Sequence, residues 1–79
     1  MPRYYFHLHN DVDVPDDEGT DLPDLAAARA YAVKQAQQLI GETVKDQARI
    51  VLSHRIDVED EQHSVVATVQ FRDVVKVEP

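Results

Sequence analysis

The chain has 79 residues, a mass of 9.0 kDa and no cysteine, and its 15 Asp+Glu against 8 Lys+Arg give a formal net charge of -7. This length accommodates one small domain, which buries only about 60% of its unfolded surface and argues against a deep enclosed active site. The missing cysteine excludes a disulfide framework, an iron–sulfur site and a thiol nucleophile. No apolar run approaches the ~20 residues of a membrane helix.

A hydrophobic fraction of 43% and a charged fraction of 29% fit a folded domain rather than a disordered one. The opening Met1-Pro2-Arg3-Tyr4-Tyr5 lacks the apolar core of a signal peptide, so the expected compartment is the cytoplasm. The charge is local: Asp11, Asp13, Asp16, Asp17, Glu18, Asp21 and Asp24 fall in one stretch without Lys or Arg, and outside it eight acids face eight bases. Such a stretch is either a solvated loop or a site for something cationic. A nucleic-acid reader carries a basic stripe, whereas Arg3, Arg29, Lys34, Lys45, Arg49, Arg55, Arg72 and Lys76 are scattered, so neither a nucleic-acid nor a membrane partner is expected.

In chain order, residues 3–9 alternate, with Tyr4, Phe6 and Leu8 on one side and Arg3, Tyr5, His7 and His9 on the other, the period of a half-buried strand. Pro15 and Gly19 then mark the acidic stretch as a loop. A helix starts near Leu22-Pro23-Asp24, capped by Asp21 or Asp24. Its apolar seam is Leu25, Ala28, Ala32, Ala36 and Leu39, flanked by Tyr31 and Ile40. Gly41 either ends this helix or sits inside one that runs on through Val44, and the lack of a turn signal over 42–46 favours continuation.

Residues 48–58 alternate again, with Ile50, Leu52, His54, Ile56 and Val58 on one side and Val51, Ser53, Arg55 and Asp57 on the other. A polar turn over 59–62 leads to a returning strand over 63–72. There Val65, Ala67, Val69 and Phe71 face inward, Val66, Thr68, Gln70 and Arg72 face outward, and Val74, Val75 and Val77 can extend the strand past a break at Asp73. The fold class is α+β in the order β-α-β-β: a three-stranded antiparallel sheet with one helix packed on one face.

Met1-Pro2-Arg3-Tyr4-Tyr5-Phe6-His7-Leu8, Asp17-Glu18-Gly19, Leu22-Pro23-Asp24-Leu25, Ala27-Ala28-Arg29 and Ile56-Asp57-Val58 with Asp60-Glu61 resemble a family of short proteobacterial proteins of unknown function. The likeness spans nearly the whole chain and implies one small domain, with no activity assigned. His54 stands where relatives tend to carry Trp, and Gln62-His63 where they tend to carry Gly. More loosely, the layout is similar to that of small antitoxin subunits of bacterial toxin–antitoxin pairs, which raises the weight of partner binding.

Three constellations stand out. His7 and His9 are two residues apart on one strand face, about 6.5–7 Å between Cα atoms, and with Asp11 form a candidate zinc or nickel set. Asp11, Asp13, Asp16, Asp17 and Glu18 offer oxygens for Ca²⁺, but Pro15 interrupts them and the EF-hand pattern is absent. Tyr5, His7, Arg55, Thr68, Gln70 and Arg72 share the sheet face that one helix leaves uncovered, a mixture that suits an interface. No nucleophile elbow or Gly-rich phosphate loop occurs, so no catalytic residue is assigned and no cofactor is expected. The expected role is a protein-interaction module working through the open sheet face or an edge strand, with a protein partner or a second copy. The alternative is a metal- or small-ligand-binding protein using His7, His9 and the acidic loop.

Overall fold

The computed structural model describes residues 1–79 as an antiparallel sheet with one helix on one face. Its strands are β1 (Arg3–His9), β2 (Asp13–Val14), β3 (Thr20–Asp21), β4 (Arg55–Glu59) and β5 (Val65–Gln70). The helix α1 spans Leu25–Gln47, and a 3-10 turn, Phe71–Asp73, follows β5. The sheet therefore has five strands rather than the three expected. β4 and β5 flank one another beyond β1, while β2 and β3 both pair with the opposite edge of β1. Two-residue bridges carry no period, and these two lie among the Asp, Pro and Gly residues of a loop, so alternation could not reveal them.

The helix starts where Asp24 caps it, its side chain accepting the Ala27 N–H at 2.9 Å. It passes through Gly41, where the space a Cβ would occupy is open, and ends at Ala48, a left-handed residue (φ 54°) whose N–H reaches the Val44 carbonyl. Its buried row is Ala28, Ala32, Ala36 and Ile40. Three alanines spaced by four residues bring the helix backbone close to the sheet. The seam thus ends on Ile40 instead of Leu39, and Leu25 is exposed. Beneath it lie Tyr4, Phe6, Ile56, Val58, Val69 and Phe71, and the exposed Tyr31 packs its ring 4.6 Å from that of Phe6.

Three further expectations are corrected. The strand expected over 48–58 begins only at Arg55. Residues 48–54 reverse direction after the helix and pass through a turn at Leu52-Ser53, leaving Ile50 and Leu52 exposed. That turn is held by the Arg72 N–H on the Leu52 carbonyl, at 3.3 Å, and the Phe71 N–H on the His54 carbonyl, at 2.9 Å. Val65, expected to face inward, is 55% exposed. A bulge puts Ala67 opposite Val58 and Val65 opposite Glu59, so Val66 is an extra residue and everything before it changes face. Finally, Val74 and Val75 do not prolong β5; they follow the 3-10 turn, and the Val74 carbonyl accepts the Gln37 side-chain amide at 3.2 Å.

Candidate functional site

Residues directly opposite in an antiparallel pair share a sheet face. Tyr5 faces Glu59, His7 faces Asp57, His9 faces Arg55, Asp57 faces Thr68, and Arg55 faces Gln70. The sheet therefore gathers Tyr5, His7, Arg55, Thr68 and Gln70 on one polar face, as expected from alternation, and adds His9, Asp57 and Glu59. Arg72 is not part of it, because it belongs to the 3-10 turn beyond the end of β5.

On this face the imidazoles are tied diagonally to carboxylates. His7 Nε2 lies 3.1 Å from Glu59 Oε1, and its Nδ1 accepts the Asp16 N–H at 3.0 Å, which fixes Nε2 as the protonated nitrogen. His9 places Nε2 3.1 Å from Asp57 Oδ2 and Nδ1 2.9 Å from Asp13 Oδ1. Asp57 also accepts the Thr68 hydroxyl at 2.9 Å and meets Arg55 Nε at 3.5 Å. His63, in the β4–β5 turn, approaches Glu59 at 3.5 Å, and its ring lies 5.8 Å from that of Tyr5.

His7 and His9 therefore have both ring nitrogens engaged inside the protein. Asp11 is elsewhere, 3.5 Å from His54 Nε2 and 3.9 Å from Arg49, in a small cleft of about 110 Å³. The candidate metal set His7, His9 and Asp11 is not brought together, and no group of three or more His, Asp or Glu is arranged to hold a metal ion. His54, just before β4, is mostly buried, and its ring meets Phe71 edge-on at 5.7 Å.

The acidic loop is a device for closing one edge of the sheet. β3 pairs with the start of β1 and β2 with its end, which leaves a gap at Phe6. Asp16 fills it: one carboxylate oxygen accepts the Phe6 N–H at 3.1 Å, and the other accepts the N–H groups of Glu18 and Gly19 at 3.2 and 3.1 Å. Partial burial pushes the Asp16 pKa up, but the Gly19, Phe6 and Glu18 N–H groups, with the His7 ring, outweigh it and hold the carboxyl below its ordinary value of 3.8. Gly19 has φ +72°, and a Cβ there would come within 2.9 Å of the Tyr4 carbonyl oxygen, so the close approach requires glycine. Asp21 pairs with Arg3 at 3.0 Å and Asp24 caps the helix. Alternation carries no trace of this clamp; its one sequence signal is an Asp three residues before a Gly in a Pro-bounded loop.

The opposite edge is open. β5 pairs with β4 alone, and none of the backbone bonds outside the helix and the strand ladders involves residues 65–70. Val65–Gln70 contains no charge and no proline, the features that usually blunt an edge.

Fold and site together define a small α+β domain with one closed and one open sheet edge, whose polar face carries a histidine–carboxylate network. The chain matches the family described as a domain of unknown function, DUF6894, over residues 3–72, and it belongs to that family. No curated protein and no solved structure matches it. No helix is long and apolar enough to cross a membrane.

Proposed function

We propose that this domain is a protein-interaction module that takes up a partner strand along β5, with the adjoining polar face selecting the partner. The observation that carries this reading is the open, uncharged β5 edge on a sheet whose other edge is closed. Edge pairing supplies main-chain hydrogen bonds, and alternate side chains on the flanking faces supply specificity. Arg55, Thr68 and Gln70 border the edge, while Tyr5 and His7 lie farther across the same face. The resemblance to short proteobacterial proteins supports a bacterial setting for this module, and a reducing cytoplasm is compatible with a chain that carries no cysteine.

The test is photo-crosslinking in living cells with a reactive residue at Gln70, on the edge, and in parallel at Arg29, exposed on the helix. A defined adduct at position 70, lost when Val65→Lys charges the edge and absent at position 29, is the expected result. No adduct at 70, or the same adducts at both positions, would overturn the reading. On the face itself, Arg55→Ala and Tyr5→Ala together are expected to weaken the adduct while leaving the unfolding midpoint within a few degrees of wild type.

A further inference from the structure

We propose that the strand taken up at β5 is the β5 of a second copy, paired antiparallel about Thr68; this rests on the edge-docking reading above and specifies its occupant. Charge placement favours a second copy at this edge. The chain carries -7, which ordinarily opposes self-association. The whole excess sits in the loop between Asp11 and Asp24, along the outer edge of β1, and β5 is the opposite edge of the sheet. Pairing through β5 puts the two acidic loops at the far ends of a joined sheet. With seven strand spacings between them, they stand about 34 Å apart, several times the ~8 Å screening length at physiological salt. Association through the β1 edge would bring the same loops together.

The ends of β5 are also complementary to themselves. It begins at the turn bearing Asp60 and Glu61, and its far end leads into Arg72, next to Asp73; Arg55, opposite Gln70, is already engaged by Asp57. Arg72 is exposed and forms no ion pair within its own chain. An antiparallel partner lays its acidic turn towards the unpaired Arg72, and the two-fold axis repeats the contact. A two-fold normal to the sheet keeps both helices on one side only when opposite residues share a face, which requires the axis to pass through a residue pair. Thr68 is central to the regular stretch after the Val66 bulge and faces outward. Centring there sets Thr68 against Thr68 of the partner subunit and Ala67 against Val69 of the partner subunit, a hydroxyl pair on the wet face and an apolar pair on the inner face. So short a pairing buries less than the ~1,200 Å² of a stable interface, so the dimer is dissociable.

Because the chain has no cysteine, single substitutions report the register directly. Thr68→Cys is expected to give a disulfide-linked species of twice 9.0 kDa under mild oxidation. Gln70→Cys, on the same edge, is expected not to, because its two copies would lie about 13 Å apart against the ~7 Å limit for a disulfide. Sedimentation of the wild type over the micromolar to millimolar range is expected to show monomer passing to dimer. Arg72→Glu should raise the concentration of half-association several-fold, and added salt should shrink that difference. A wild type that stays monomeric throughout, or disulfide linkage in the Gln70→Cys variant but not in Thr68→Cys, overturns the proposal. If the cellular adduct at position 70 is heavier than two copies while the purified chain is monomeric, edge docking stands and self-pairing falls. If neither is seen, both fall.

Discussion

Asp16 shows how much one side chain can decide. Its carboxylate replaces a missing stretch of strand, accepting from Phe6, Glu18 and Gly19, while its own N–H sets the tautomer of His7. Hydrogen bonds to an ionised group contribute about 1.5–3 kcal/mol, so Asp16→Asn, with one acceptor oxygen in place of two, is expected to cost about 1–3 kcal/mol in urea unfolding at pH 7. The acid dependence has a definite sign. Because the folded-state pKa lies below the ordinary 3.8, the contribution of Asp16 is complete above that value and is lost as pH falls below it through the folded pKa. Urea midpoints measured down the acid limb should fall less steeply for Asp16→Asn than for wild type; equal slopes would show that the clamp does not depend on ionisation.

At the scale of elements, the helix carries two residues that its backbone does not favour. Gly41 is interior to α1 with open space around it, and Ala48 adopts the left-handed conformation that glycine takes without cost. Gly41→Ala is expected to stabilise by about 0.5–1 kcal/mol. Ala48→Gly is expected to stabilise by a similar amount, roughly 0.5–1 kcal/mol, since the αL penalty exceeds glycine's added chain entropy. Thermal unfolding of the two single variants and the double should show additive increases, because seven residues separate the sites. In the sheet, Ile56 is 1% exposed, and Ile56→Ala should cost about 2–5 kcal/mol through lost burial and the cavity left behind. Strand and helix existence were legible in the sequence here because Tyr4, Phe6, Ile56, Val58 and the alanine row keep strict periods. The same period misleads over 48–54: Ile50 and Leu52 keep a period of two, yet no strand pairs with them, and periodicity cannot report a missing neighbour.

For the whole molecule, the asymmetry between the two sheet edges matters most. One edge is closed by β2, β3 and Asp16; the other is open along β5. A molecule with one open edge can form pairs, whereas one with two open edges can form unlimited rows. Asp16→Ala, which reopens the gap at Phe6, is therefore expected to scatter light as larger species than the wild type at the same concentration. A variant no larger than the wild type would show that β2 and β3 close the edge unaided.

By itself, the sequence determined the α+β class, the strand–helix–strand–strand backbone of the fold, a helix start capped by Asp21 or Asp24, and the grouping of Tyr5, His7, Arg55, Thr68 and Gln70 on one face. These depend on local period and local capping, which travel with the chain. Only the tertiary structure decided the role of the acidic loop, the separation of Asp11 from His7 and His9, the bulge that turns Val65 outward and the departure of Arg72 from the sheet. Each of these depends on which backbone group lies across from which side chain. Asp16 reaches Phe6 across ten residues, and Glu59 reaches His7 across a strand pair, distances that no repeat along the chain encodes.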